Sequence, residues 1–230
     1  MKTLTSILVP IHPEGYRFIA IFAVLDALFF FVSPVLGWIG LVLTLWCAWF
    51  FRDPARTTPQ REGLVISPAD GVVNMITRAT LPPELGMGLE ERTRVSVFMN
   101  VFNCHVNRMP TAGIVKKSLY RTGQFLNADL DKASDANERH SMLVSLSDGS
   151  DMVVTQIAGL VARRILNHAN EGDSFIAGER FGLIRFGSRL DIYLPEGAEP
   201  LVAVGQTAIA GETVIADLAS EEPERDVNTQ

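Results

Sequence analysis

The sequence predicts an α+β protein, mainly β with short helices, in which a compact antiparallel β domain follows an N-terminal membrane helical hairpin. Three observations lead to this prediction. Apolar residues run almost without interruption from position 18 to position 51. After Arg61, apolar and polar residues alternate with the period of two that is typical of strands. Turn dipeptides that contain glycine separate these alternating runs.

Length and composition fit one medium-sized domain with an appendage. The chain has 230 residues, of which 47% are hydrophobic, and its formal net charge is −6. This charge gives no basic surface for nucleic acid, so we expect no nucleic-acid partner. The two cysteines, Cys47 and Cys104, lie far apart and form no disulfide framework, which favours a reducing compartment. Without residues at metal-ligand spacing, we expect no metal.

The N-terminal apolar run is too long for one membrane-spanning helix. Its 34 residues would make a helix about 51 Å long, whereas the hydrocarbon core of a bilayer is about 30 Å thick. Ser33-Pro34 interrupts the run near its middle, because proline removes a backbone donor and disfavours a continuous helix. We therefore predict a hairpin with arms at Arg17–Phe31 and Leu36–Phe51. Two thin spans and a hairpin inserted into one leaflet both remain open.

Basic residues flank the apolar run on both sides. Lys2 and Arg17 precede it, and Arg52, Arg56 and Arg61 follow it. Because basic residues near membrane segments favour the cytoplasmic side, we expect both ends of the hairpin in the cytoplasm. The protein is then expected at the cytoplasmic face of the cell (inner) membrane.

The chain divides into a hairpin and linker at 1–61, a β domain at 62–218 and an acidic disordered tail at 219–230. In the domain, the alternation at Met142–Leu146 is followed by the turn Asp148-Gly149 and a return strand at Met152–Ile157. The polar segment 127–140 predicts either a short helix or a loop. The tail is predicted to be disordered because it is acidic and poor in apolar residues.

The dipeptide Gly187-Ser188 lies between two strand-like runs near the end of the domain. A Gly-Ser pair most often marks a turn. A serine hydroxyl at this place could also attack the carbonyl of the residue before it, and glycine tolerates the backbone angles that this attack requires. From these residues alone, a turn and a self-cleavage site both remain open.

Several motifs occur in an order that resembles a known family. They are Ser67-Pro68-Ala69-Asp70-Gly71, then Asn103-Cys104-His105-Val106-Asn107-Arg108-Met109-Pro110, then Ala162-Arg163-Arg164-Ile165, and finally the block Glu179–Pro195 around Gly187-Ser188. Together with the hairpin, this order resembles the short bacterial type of phosphatidylserine decarboxylase proenzyme. The resemblance covers nearly the whole chain except the acidic tail, and the block Glu179–Pro195 is its most specific part.

The resemblance implies a self-cleaving, pyruvoyl-dependent enzyme. Ser188 would attack the Gly187 carbonyl, the chain would split between Gly187 and Ser188, and the former Ser188 would become the pyruvoyl cofactor. That cofactor would accept electrons when phosphatidylserine loses carbon dioxide to give phosphatidylethanolamine, as pyridoxal phosphate does elsewhere. The implied partners are phosphatidylserine and the lipid bilayer. The two cleavage products would form a heterodimer that assembles into a homo-oligomer.

The resemblance also assigns supporting residues. Asp70 and His105 match an aspartate and a histidine that help to activate the serine, as a base and its orienting group do. The second histidine of longer family members is replaced here by Arg108. Either His105 therefore serves both maturation and substrate protonation, or another group such as His140 is the maturation base. We favour His105.

Other functions explain less of the sequence. Gly205–Ala216 resembles the turn pattern of a biotinyl or lipoyl carrier, but no lysine lies in that segment to hold the cofactor. A serine hydrolase would need glycine two positions before and after Ser188, where this chain has phenylalanine and leucine. A membrane-tethered, non-catalytic β module leaves the Gly187-Ser188 block unexplained. We therefore prefer the decarboxylase.

Overall fold

The computed structural model describes residues 9–129, 136–160, 164–185 and 187–220. Some positions that the sequence singled out lie outside the described residues: Lys2, Ala162, Arg163, Phe186 and the tail from 221 onward. Positions 130–135 of the polar segment at 127–140 also lie outside them.

Two helices form the N-terminal hairpin, α1 (Pro13–Val32) and α2 (Pro34–Phe50). His12 caps α1, because its Nδ1 accepts the Glu14 amide hydrogen at 3.3 Å. Ser33 alone separates the helices and has φ −161° and ψ 131°, the extended conformation that a following proline favours. The break is therefore where the sequence predicted it. Both helices begin earlier than predicted, since a proline opens each of them.

Glycines on α2 let the two helices approach closely. A Cβ at Gly37 would lie 2.3 Å from the Phe30 ring, and one at Gly40 would lie 2.6 Å from Asp26 Oδ1. Asp26 is consequently buried between the helices, although it lies in an apolar segment.

The outer face of the hairpin is apolar and exposed. In the described part of the chain, α1 is the helix that is long and apolar enough to cross a membrane, and α2 is a shorter apolar helix. Large exposed apolar side chains cover both helices, among them Ile21, Val24, Leu28, Phe31, Val32, Val35, Trp38, Ile39, Val42 and Leu45. A continuous surface of this kind suits lipid better than water.

The other elements that the structure describes from end to end are strands and a 3-10 turn at Pro83–Leu85. The described strands are β1 (Leu64–Ile66), β2 (Gly71–Thr80), β3 (Glu91–Met99), β4 (Val106–Arg108), β5 (Gly113–Arg121), β6 (Arg139–Ser145), β7 (Asp151–Ala158), β8 (Ile165–Asn167), β9 (Ser174–Phe175), β10 (Arg180–Ile184), β11 (Ser188–Tyr193), β12 (Thr207–Ala208) and β13 (Val214–Asp217).

The described strands form three antiparallel sheets. The largest has the order β12-β2-β3-β11-β7-β6-β5-β9, a second has the order β4-β10-β8, and β1 pairs with β13. The predicted hairpin around Asp148-Gly149 is confirmed by the pairing of β6 with β7. Apolar side chains on one face of the large sheet, such as Val97, Val154 and Leu190, form the main core. The predicted α+β class with a mainly antiparallel β domain is thus confirmed.

The hairpin is built into the β domain. The end of α2 contributes Cys47 and Phe50 to an apolar cluster that also contains Cys104, Val106 and Leu183, so β4 and β10 pack directly on the hairpin. Burial of these side chains fixes the domain at the end of the apolar helices.

The linker after α2 is also bound to the domain. Asp53 forms ion pairs with Arg108 at 3.4 Å and with Arg180 at 2.8 Å. Further along, Arg56 pairs with Asp70 at 2.6 Å. The segment between hairpin and domain is therefore an ordered strap along the domain surface.

Gly40→Leu should weaken the hairpin, because even a Cβ at this position would lie 2.6 Å from Asp26 Oδ1. Overpacking typically costs about 1–3 kcal/mol, so the midpoint of thermal unfolding in detergent should fall. Tryptophan fluorescence reports this directly, since all three tryptophans of the chain, Trp38, Trp46 and Trp49, lie in α2.

Val42→Leu is the matched control, because Val42 lies on the same helix and is 65% exposed. Its midpoint should stay at that of the unsubstituted protein. Equal shifts for the two variants would contradict this packing of the hairpin.

Candidate active site

Ser188 is the first residue of β11, a central strand of the large sheet. It lies opposite Met99 on β3 and Ala158 on β7. The side chain is fully buried, and its Oγ lies 4.0 Å from Met99 Sδ, a weak acceptor. In the described part of the chain, the hydroxyl has no stronger hydrogen-bond partner. Strand pairing therefore fixes the backbone of Ser188, whereas its hydroxyl makes no strong hydrogen bond to the described residues.

The residue before Ser188 has an unusual backbone conformation. Gly187 has φ +62°, in the left-handed region that favours glycine. Its carbonyl oxygen packs against Gly159, where a Cβ would lie only 2.1 Å away. A Cβ at Gly187 itself would meet nothing within 4 Å. Backbone angle thus explains glycine at 187, whereas space explains glycine at 159.

His105 lies directly before β4 and is completely buried. Its Nδ1 lies 3.0 Å from the Asn103 carbonyl oxygen. A carbonyl can only accept, so Nδ1 carries the proton and Nε2 carries the lone pair. Nε2 is buried and has no hydrogen-bond partner among the described residues. Burial lowers the pKa of His105 to about 3, so the ring is a neutral base with an open acceptor site.

Two neighbours place His105 in the fold. The Phe50 ring at the end of α2 lies 4.2 Å from the His105 ring, centroid to centroid, and covers it. The backbone carbonyl of His105 accepts the Ile184 amide hydrogen at 3.4 Å. His105 therefore lies against the end of β10, four residues before Ser188 in the chain.

Asp70 occupies the turn between β1 and β2 and has two strong partners. Its Oδ2 binds Arg56 at 2.6 Å, and its Oδ1 accepts the Ala210 amide hydrogen at 2.8 Å. Burial raises the pKa of the Cys104 thiol, and the Asp70 carboxylate raises it further, so Asp70 acts electrostatically on the neighbour of His105. No hydrogen bond joins Asp70, His105 and Ser188 to one another in the described structure.

The two other candidate residues lie elsewhere. Arg108 donates to the carbonyl oxygens of Gly178 and Pro54, both at 2.9 Å, and so fastens the strap to the domain. His140 lies on β6, two strands from β11, with its Nε2 2.8 Å from Ser118 Oγ. Burial lowers the pKa of His140 to about 4. The structure therefore brings neither side chain into contact with Ser188.

A chain of hydrogen-bonded amide side chains, two of them fully buried and one partly buried, lies beside Ser188 and was not predicted. Asn107 Nδ2 lies 3.7 Å from Met99 Sδ, the same sulfur that Ser188 faces. Gln156 donates to Asn107 Oδ1 at 2.8 Å, and Asn167 donates to Gln156 at 2.9 Å. Fully paired polar groups of this kind rigidify a core. Nothing in the local sequence marks them, because the three amides come from three separate strands.

The described residues supply a buried serine hydroxyl, a left-handed glycine directly before it and, beside β10, a neutral histidine with an open lone pair. These are the parts that an acyl shift from nitrogen to oxygen needs at the bond between Gly187 and Ser188.

Comparisons with known proteins agree on one family. A family model described as phosphatidylserine decarboxylase matches residues 43–216. A protein of Ruegeria pomeroyi named phosphatidylserine decarboxylase proenzyme is 59% identical over 218 residues, which cover 95% of this chain and 100% of the relative. A protein of the same name from Cereibacter sphaeroides is 60% identical over 222 residues, which cover 96% of each chain.

Gly159→Ala should block cleavage at Gly187-Ser188, because the added Cβ would lie 2.1 Å from the Gly187 oxygen and must displace that carbonyl. A displacement of about 1 Å can cost about a hundredfold in rate. Intact mass measured at intervals after purification gives the cleavage rate. The control is Gly149→Ala in the exposed β6–β7 turn, where φ is +86° and the added methyl meets nothing within 4 Å. Equal cleavage of the two variants would argue against this contact.

Phe50→Ala should raise the pKa of His105 from about 3 towards the usual value of about 6.5, because water reaching the ring stabilises the charged form. The measurement is an NMR titration of the ring nitrogens in the Ser188→Ala background.

Phe31→Ala, at an 89% exposed position on the same hairpin, should leave that pKa unchanged. A His105 ring that titrates near pH 6.5 in the presence of Phe50 would show that Phe50 does not bury it.

Proposed function

Because this chain belongs to the phosphatidylserine decarboxylase family, we propose that the bond between Gly187 and Ser188 is its maturation site and that the former Ser188 is its catalytic group. The protein is a decarboxylase of phospholipid metabolism, made as a proenzyme, and it converts phosphatidylserine to phosphatidylethanolamine and carbon dioxide. One observation carries the assignment of the site: the left-handed Gly187 carbonyl directly precedes a buried serine on a central strand.

Maturation begins with Ser188. Its Oγ attacks the Gly187 carbonyl carbon, the bond from that carbon to the Ser188 nitrogen breaks, and an ester forms. Loss of the Ser188 α-proton then breaks the bond from Cβ to Oγ. Gly187 leaves as a carboxylate, and dehydroalanine remains at position 188. Water converts this residue to a pyruvoyl group with release of ammonia.

His105 is the proposed base for the first step. A neutral ring can accept the serine proton, and burial keeps His105 neutral at neutral pH. Its Nε2 has no competing partner among the described groups. His140 lacks this freedom, since its Nε2 lies 2.8 Å from Ser118 Oγ. These contacts support His105 over His140 for both maturation and substrate protonation.

Asp70 is the proposed supporting carboxylate. It holds Arg56 of the strap and the amide of Ala210, and so joins the linker, the β1–β2 turn and the loop before β13. Its negative charge also reaches Cys104, next to His105. We assign it the role of shaping the environment of His105 through these contacts.

The residues around Ser188 fit a small α-keto group, because Ser188 is buried between two strands and Gly159 leaves room at the Gly187 carbonyl. A pyruvoyl group supplies an electron sink for decarboxylation. The chain's own contribution is to keep the buried position 188 away from bulk water, and we assign His105 the role of returning a proton to the substrate carbon.

The hairpin would hold this site at the bilayer that contains the substrate. Extracting a diacyl lipid is costly, since each buried methylene contributes about 0.8 kcal/mol. We assign the enzyme to the cytoplasmic face of the inner membrane because basic residues flank the hairpin.

We propose the same domain division as the sequence predicts: a hairpin and linker at 1–61, the decarboxylase domain at 62–218 and an acidic tail at 219–230. The two cleavage products remain together as a heterodimer, because β10 and β11 belong to different products yet lie in sheets of one domain, and these units form a homo-oligomer.

Intact mass under denaturing conditions tests maturation. The unsubstituted protein should give two chains, divided after Gly187, and the shorter one should lack a free α-amine. Ser188→Ala should stay whole and inactive, whereas Ser147→Ala, at an exposed position near the β6–β7 turn, should mature normally. A single uncut chain from the unsubstituted gene, or decarboxylation by Ser188→Ala, would refute the assignment.

A further inference from the structure

Two arginines bind one glutamate near the proposed cleavage site, and a third arginine lies close to one of them. Arg17 and Arg185 both bind Glu14 Oε2, at 2.7 Å and 2.6 Å. The Arg164 backbone carbonyl accepts the Arg185 amide hydrogen at 3.3 Å. Burial lowers the pKa of Arg185, and the positive charges of Arg17 and Arg164 lower it further. This arginine cluster (Arg17, Arg164 and Arg185) therefore carries more positive charge than Glu14 neutralises.

Arg185 has a donor without an acceptor. Its side chain is 11% exposed, yet its Nε is buried and has no hydrogen-bond partner among the described residues. One face of the guanidinium lies over the Phe18 ring, 5.0 Å from the centroid. A buried donor that is left unpaired costs free energy, which an incoming acceptor would recover. The planar fork of guanidinium donors matches the oxygens of a phosphate.

The arginine cluster lies between the apolar helices and Ser188. This order matches the order of the parts of a serine phospholipid. Arg17 is near the start of α1, whose exposed apolar face suits the bilayer. Arg185 precedes Ser188 by three residues, a distance of at most about 10 Å along the chain. In a serine phospholipid, the phosphodiester likewise lies between the acylated glycerol and the reacting serine group.

We propose that Arg185, with Arg17 and Arg164, binds the phosphodiester of the glycerophospholipid substrate. This inference rests on the proposed function. Glu14 holds Arg17 and Arg185 in position but competes with the phosphate for their donors. The cluster would therefore contribute to binding of the headgroup rather than to the chemistry at position 188.

Opposite effects of two substitutions distinguish this site from a structural ion pair. Arg185→Gln should raise the KM for phosphatidylserine in mixed micelles about tenfold to a hundredfold, with kcat changed far less. Glu14→Gln should lower the KM, because it removes the competing carboxylate. If the pair only stabilised the fold, both substitutions would impair the enzyme in the same direction. Arg121→Gln, an exposed arginine on β5, is the control and should leave both constants unchanged.

Binding provides a second measurement that does not depend on turnover. The probe is glycerophosphoethanolamine, the soluble headgroup of the product, titrated into the mature detergent-solubilised protein by calorimetry. Its Kd should rise about tenfold or more in Arg185→Gln. Ethanolamine, which lacks the phosphate, should bind equally to both proteins. Inorganic phosphate should compete with the headgroup in the unsubstituted protein and not in Arg185→Gln.

Intact mass must first show that each variant is cleaved. If Arg185→Gln stays uncut, Arg17→Gln carries the test, with the same expected rise in KM and Kd. An unchanged KM in the arginine variant would overturn the proposal. So would an equal loss of affinity for glycerophosphoethanolamine and ethanolamine, or a higher KM in Glu14→Gln. An unsubstituted protein that matures but does not decarboxylate phosphatidylserine would instead refute the proposed function.

Discussion

The contact between the rings of Phe50 and His105 is the interaction on which the rest of the site depends. It brings the end of an apolar hairpin within 4.2 Å of the proposed catalytic base, centroid to centroid. It helps to exclude water from His105, and that exclusion keeps the ring neutral. Phe50 also packs the helices against the β domain, because it belongs to the apolar cluster that contains Val106 and Leu183. Packing thus joins the apolar hairpin directly to the proposed catalytic base.

A second constraint acts on the chain around Gly187. Ser188 is held by strand pairing on both sides. Gly187, directly before this strand, has a left-handed conformation, and its carbonyl packs against Gly159. A bond in an extended strand would lack this geometry. The hydroxyl of Ser188, whose only described hydrogen-bond contact is the weak acceptor Met99 Sδ, follows this glycine directly in the chain.

Local patterns predicted much of the fold, and long-range contacts account for what they missed. The break at Ser33-Pro34 and the hairpin at Asp148-Gly149 follow from backbone preferences of neighbouring residues, and both occur as predicted. Gly159 had no such signal, because its importance comes from a carbonyl that reaches it from another strand. Arg108 fastens the strap, a contact that needs residues more than 50 positions away. The motif containing Asp70 was identifiable from sequence, but its pairing with Arg56 and Ala210 was not.

The central claim is that residue 188 itself becomes the catalytic keto group. The most direct measurement is labelling of the purified protein with a ketone-reactive hydrazide, followed by peptide mapping. One label is expected, at position 188, on the first residue of the shorter chain, and none in the uncut Ser188→Ala protein. A cleaved protein whose shorter chain begins with an unmodified serine, or a label at any other residue, would contradict it.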